Sequence, residues 1–197
     1  MVALLQGVTP YREEDAAQYL NNNWWRGLTL GDLLDRAADM HPDREAFVDR
    51  TSRLTYGQAR KKVDQLALGL IRLGIEPLAR VMIQLPNWNE FVIVYFACQK
   101  IGAIPVLLID RYRQYEINRL AGLTGATAWI VASRHKKVDF KPIIADVLKE
   151  NPAIKITIIV RSEADLPNCH SLENISVADE PTMAQRETLA RLRPDPM

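Results

Sequence analysis

A chain of 197 residues is long enough to bury the core of one ordinary domain without disulfide or metal staples. Its 25 Lys and Arg nearly cancel its 24 Asp and Glu, giving a formal charge of +1, so the overall balance selects neither nucleic acid nor an anionic membrane as partner. Its two cysteines, Cys98 and Cys169, lie far apart and form neither a zinc motif nor a disulfide framework, which fits a reducing cytoplasm.

The N-terminal stretch MVALLQGVTPYREEDA lacks a basic leader and a long apolar run and does not read as a secretion signal. In LTLGDLLDRAADM, residues 28–40, the positions Leu30, Leu33, Leu34, Ala37 and Ala38 fall at helical spacing. Thr29 with Asp32 forms a capping-box pattern, and Leu28 with Leu33 is placed as a hydrophobic staple. EAFVD and RLTY, separated by Arg50 to Ser52, predict a short antiparallel hairpin. Thr55 and Gln58 form a second capping box, opening a helix whose stripe is Ala59, Val63, Leu66, Leu70 and Leu73 and which ends at Gly74.

A regular alternation follows. Strands are predicted at 80–85, 103–109, 127–132 and 155–160, with helices at 88–101, 114–123 and 142–150 between them. Short, nearly all-apolar strands joined by helix-length segments predict an α/β fold, a mostly parallel sheet with helices on both faces. Pro105 cannot donate to a sheet ladder and is expected near its strand's start or at an irregularity. The apolar run Phe91 to Ile109 does not read as a membrane span, because Lys100 at its middle would cost about 2.5–3.5 kcal/mol on insertion and Gly102 and Pro105 divide it.

After Val160 prolines and acidic residues replace large apolar ones, with one short helix expected at Met183 to Leu192. The expected organisation is thus an N-terminal helical arm (1–43), an α/β subdomain (44–160) and a connecting segment (161–197). The final RLRPDPM closes no element, which reads as a piece of something longer.

Catalytic signatures are sparse. There is no G-x-x-x-x-G-K-[ST], no G-x-G-x-x-G and no G-x-S-x-G. His41, His135 and His170 lack a second ligand at metal-binding spacing, and His41 sits where a helix ends. Two loops fall beyond strand ends, where α/β proteins place ligands. In Leu85 to Glu90, Asn87 either caps the next helix with Glu90 completing the box, or Asn87 or Asn89 faces a ligand. In Asp110 to Arg113, Asp110 or a neighbour either caps the helix that Glu116 favours by charge, or Arg111, Tyr112 and Arg113 bind a phosphate or carboxylate.

Taken in order, GVTPYREEDAAQYLNNNWWRGLTLGDLLDRAA, RLTYGQARKKVDQLALGLIRLGI, RVMIQLPNWNEFVIVYFACQKIGAIPVLLI and RQYEI resemble the N-terminal part of the adenylate-forming ligases, most nearly aryl-acid activating members such as 2,3-dihydroxybenzoate-AMP ligases. LTYGQ matches the family's early L-[ST]-Y-x-E/Q segment and KIGAIPVLL its K/R-x-G-A-x-x-V-x-L segment, over roughly residues 7–160. Where those aryl-acid members tend to carry a small residue and a histidine before the helix, this chain has Arg111 and Tyr112.

The resemblance implies part of the adenylate-forming fold. It also implies ATP-dependent activation of a carboxylic acid as an acyl-adenylate and transfer to the thiol of coenzyme A or of a carrier protein's phosphopantetheine. The family's phosphate loop, magnesium ligand, ribose aspartate and C-terminal lysine match nothing in these 197 residues, and the resemblance places the loop directly after RLRPDPM. No catalytic, cofactor-binding or metal-ligating residue is therefore assigned, ATP and magnesium being implied for the complete protein. The expectation is a catalytically incompetent N-terminal piece with uncovered apolar surface that promotes self-association; the alternative is a stand-alone binding or interaction module built on the same scaffold.

Overall fold

The computed structural model describes residues 9–162, 167–176 and 181–192. Helix α1 (Glu13–Asn21), with Glu13, Glu14 and Asp15 favourably placed in its first turn, precedes α2 (Leu30–Met40). The antiparallel hairpin β1 (Glu45–Val48) and β2 (Arg53–Thr55) leads into α3 (Tyr56–Arg72). Both capping boxes form as the sequence predicts, Thr29 with Asp32 and Thr55 with Gln58, and His41 is the C-cap of α2. The stripe of α2 is only half covered, because Leu34 and Ala38 are buried while Leu30 and Leu33 stay exposed.

The alternation then runs β3 (Arg80–Gln84), α4 (Asn89–Lys100), β4 (Ile104–Leu107), α5 (Gln114–Thr124), β5 (Ala128–Ala132), the two-residue strands β6 (Arg134–His135) and β7 (Val138–Asp139), α6 (Lys141–Glu150) and β8 (Ile156–Val160). The sequence pattern did not announce β6 and β7, which are too short to show a period. They pair antiparallel as a small ribbon. Beyond them lie β9 (His170–Ser171), α7 (Leu172–Ile175) and α8 (Met183–Leu192).

The main sheet has the order β4-β3-β5-β8-β9, and every pair in it is parallel. Pro105 lies at the second position of β4, an edge strand, where its missing N–H breaks no ladder on the open side. The period-2 alternation divides the core. Val81, Ile83, Ala128, Ile130, Ile158 and Val160 face one layer with α3 and α4, whereas Met82, Trp129, Val131 and Ile159 face the other with α5 and α6. Helices thus cover both faces of a parallel sheet.

Residues after β8 add to this body. β9 extends the sheet, and α7 and α8 pack on the α3 side. Both approaches need glycine. A Cβ on Gly69 would lie 2.1 Å from the Ile175 carbonyl oxygen, and one on Gly102, at φ +71°, would lie 2.4 Å from that of Leu192.

Lys100, the residue that argues against a membrane span, is 1% exposed and ion-paired with Asp64 of α3 and Asp35 of α2. Two carboxylates offset the desolvation of one ammonium and fix how α4 sits against its neighbours. No helix among the described residues is long and apolar enough to cross a membrane. Removing the cation alone leaves buried Asp64, among the described residues, with the longer contact to Arg186, 3.8 Å away. Lys100→Met is therefore expected to cost about 3–5 kcal/mol of unfolding free energy in urea titrations, and Asp64→Asn in that background to recover part of it.

Candidate functional site

Strand β3 sends its helix α4 to one face of the sheet, while its neighbour β5 sends α6 to the other. Divergence of adjacent connections opens a crevice beyond the strands' carboxyl ends. It has a volume of about 950 Å³ and is lined by the ends of β3 (Leu85 to Trp88), β4 (Leu107 to Asp110), β6 (His135) and β8 (Arg161), with the β1–β2 turn as its further wall.

The walls are held by one charged knot. Arg161 grips Glu90 with two parallel bonds, Nε to Oε1 at 2.7 Å and Nη2 to Oε2 at 2.8 Å. Its Nη2 also donates to Asp49 Oδ2 and Thr51 Oγ1, each at 3.2 Å. The guanidinium lies over the Trp88 ring, 4.0 Å from the centroid, a geometry that adds cation–π attraction. Arg161 holds a left-handed backbone, φ 57°, a conformation that costs a non-glycine residue about 1–2 kcal/mol and persists only where its surroundings demand it.

Asp49 is the knot's acceptor. Its side chain is 4% exposed. Oδ1 accepts from the amides of Thr51 (2.7 Å) and Ser52 (2.8 Å) and from the Thr51 hydroxyl (2.8 Å), while Oδ2 accepts from the Asn89 amide (3.0 Å). The bond from Asn89, with those from Thr51 and Ser52, holds the Asp49 carboxyl well below the usual carboxylate range, against the opposing effect of burial. The bonds to Glu90 first, and the charges of Glu90 and Asp49 after them, push the Arg161 pKa upward.

The two loops singled out in sequence both border the crevice, with altered roles. Asn87 does not cap α4: the N-cap is Trp88, without a side-chain bond. The cap comes from Asp49, forty residues away in sequence, because its carboxylate reaches the first amide of the helix. Glu90 pairs with Arg161 rather than closing a box. Asn89 turns inward and donates to the Ser52 carbonyl (3.1 Å) and hydroxyl (2.8 Å).

In the second loop Asp110 does not cap α5 but lies 3.1 Å from His135 Nε2 and 3.8 Å from Lys136 Nζ. The His135 ring meets the Trp88 ring edge-on, centroids 5.8 Å apart. Arg113 donates to the carbonyls of Asp110 (3.1 Å) and Tyr112 (2.8 Å), so its guanidinium is engaged in shaping the loop. Glu116 accepts the Arg113 amide at 3.0 Å, and that bond first of all lowers its pKa. Arg111 stays exposed. His170 lies in β9, remote from this crevice.

Asp49 and Arg161 are site residues that the sequence did not single out; Trp88 lay unremarked within the first loop, and His135 was weighed only as a metal ligand. One had a local signal: Asp49-Arg50-Thr51-Ser52 is an Asx-turn pattern. Among the described residues no three His, Cys, Asp or Glu side chains converge on a common point. Asp49 and Glu90 are both engaged by Arg161. Chemically, the crevice is an apolar-walled cleft with fixed charges at its lip.

Comparison with known proteins agrees with this geometry. A family model described as "AMP-binding enzyme" matches residues 34–195. Triostin synthetase I of Streptomyces triostinicus is 35% identical over 178 residues, 90% of this chain and 32% of that protein. The 2,3-dihydroxybenzoate-AMP ligase of Bacillus subtilis (strain 168) is 35% identical over 162 residues, 82% of this chain and 30% of that protein. The apo structure of MbtA from Mycobacterium smegmatis superposes with a TM-score of 0.77 at 30% identity, covering 89% of this chain and 32% of that one. The chain therefore spans about a third of the length of the curated relatives it matches.

Asp49 has a clear pH signature. A folded-state pKa below the unfolded one contributes stability that is fully present above about pH 4 and is lost as pH falls through the depressed folded-state value. Asp49→Asn is expected to lower stability at neutral pH by about 1–3 kcal/mol and to flatten the acid limb of the stability curve, read by thermal unfolding from about pH 7 down to pH 2.

Proposed function

The chain belongs to the AMP-binding enzyme family, and on that premise we propose that it is the N-terminal portion of an ATP-dependent acid–thiol ligase. In this reading it supplies scaffold and one wall of the cleft in which a carboxylic acid, of the aryl class, becomes an acyl-adenylate. The acyl group then passes to the thiol of coenzyme A or of a phosphopantetheinyl carrier protein. The observation that carries the proposal is the family match over residues 34–195, joined to a span of about a third of each relative.

The fold supports this division of labour. Its described residues build a parallel sheet with a crevice at the switch point, yet the charges of Arg161, Asp49 and Glu90 there are spent on one another rather than aimed at a ligand. Phosphate cradle and magnesium ligands are assigned in this proposal to sequence outside these 197 residues. The two cysteines are unpaired, which supports a reducing cytoplasmic setting.

Carboxylate-dependent exchange of pyrophosphate into ATP tests the proposal. The 197-residue chain is expected to show none, and a longer protein that carries it as its N-terminal part is expected to show exchange with an aryl acid. Exchange by the chain alone overturns the reading. If no longer protein exists, the alternative of a stand-alone interaction module is favoured.

Exposed apolar side chains on the open edge, Leu107 and Ile109, and on helices, Leu30, Leu33 and Leu123, lead to a second expectation. Sedimentation of the chain at rising concentration should show a shift towards dimer or larger species. A monomer throughout contradicts it.

A further inference from the structure

Helix α8 is held to the rest of the molecule at three points, each of a different kind. Of its residues Met183–Leu192 only Leu189 is buried, in the core layer shared with α3 and α4. Arg186 Nε stands 3.8 Å from Asp64 Oδ2, on the carboxylate that also pairs with Lys100. At the last residue of the helix, the Leu192 carbonyl oxygen lies 2.4 Å from where a Cβ on Gly102 would stand.

The start of α8 is local. Gln185 Oε1 accepts the Thr182 amide (2.9 Å) and Thr182 Oγ1 accepts the Gln185 amide (3.3 Å), the two bonds of a capping box. Yet so short a helix is marginal in water by itself, so α8 stays formed because of its seat.

The two sides of that seat differ in firmness. Gly102 is left-handed, φ +71°, in the turn between α4 and β4, and its carbonyl accepts the Leu78 amide at 2.7 Å. Two residues on, the Ile104 amide donates to the Ala79 carbonyl at 2.8 Å, where the β3–β4 ladder begins. The turn is thus tied into the sheet, whereas α8 rests on one apolar side chain and a long ion pair. Segments with few buried apolar contacts open without the rest of a fold. Where turn and helix collide, it is therefore α8 that gives way.

We infer that α8 is a latch, a helix that opens and recloses on α3 and α4 as a unit separate from the sheet, and that the missing Cβ of Gly102 is what lets it close. Gly102 precedes β4, so the latch closes at the amino end of the strands, opposite the crevice. Closed, it passes the chain on from a fixed point. Only one consequence rests on the function proposed above: that this point sets the course of the chain towards the groups that activate the acid.

Trypsin cleavage of the whole 197-residue chain, with initial rates at each site read by mass spectrometry, tests the latch. Arg186 lies inside α8, and Lys100, 1% exposed in α4, supplies the reference site in the core. Cleavage of a transiently opened segment follows the population of its open form. Cleavage after Arg186 is expected to be faster than after Lys100 and slower than in a synthetic peptide of residues 181–192. Leu189→Ala, which leaves the turn untouched, is expected to raise the ratio of the two rates by about tenfold or more. Gly102→Ala is expected to raise it well beyond Gly74→Ala, whose backbone is also left-handed (φ +87°) but whose Cβ would meet nothing within 4 Å. Where the turn variant does not fold, Leu189→Ala decides by itself. Cleavage after Arg186 at the rate of Lys100 or at that of the peptide, a ratio unmoved by Leu189→Ala, or equal effects of the two glycine substitutions overturns the inference. None of these readings uses activity, so they stand apart from the outcome of the exchange assay.

Discussion

The Arg161–Asp49–Glu90 knot is the constraint on which the crevice depends. Parallel sheets bring strand ends together but leave the connecting loops independent of one another. Here one guanidinium at the end of β8 binds a carboxylate in the first turn of α4 and another in the β1–β2 turn, and covers the Trp88 ring. Asp49 in turn holds the first amide of α4 and both amides of its own turn. A hairpin outside the main sheet thereby becomes a wall of the cleft. The cost is three charges partly withdrawn from water, which only multiple, well-aligned bonds offset.

Most of the scaffold was legible in the sequence. Thr29 with Asp32 and Thr55 with Gln58 announced two helix starts because a capping box is local, complete within four residues. The apolar runs announced β3, β5 and β8 because strands buried on both faces admit little else, and they announced β4 although that edge strand is only partly buried. Pro105 pointed to a strand's start or an irregularity, and it lies at the second position of the edge strand β4.

The candidate site was much less legible, for a physical reason. Its bonds join residues far apart in the chain, Asn89 to Asp49 and Arg161 to both Glu90 and Asp49. No periodicity encodes such pairs. Asn87, which satisfied every local rule for a cap, lost the place to a carboxylate arriving from the hairpin. Asp110 was likewise drawn from the α5 terminus to His135 and Lys136 on a ribbon too short for the pattern to reveal. Lys100 and Asp64, far apart in the chain, are likewise buried partners that no local pattern announces.

Fold and family thus rest on features spread along the chain, whereas the crevice rests on a few long-range bonds. Hydrogen exchange resolved by residue is the direct test of whether that knot holds the crevice walls together as a unit. The amides of Thr51, Ser52 and Asn89 belong to a turn and a helix start, which ordinarily exchange fast. If Asp49 and Arg161 hold them, all three will be protected to the same degree as the β8 amides. Rapid exchange of the three, at the rate of exposed turns, would contradict the account.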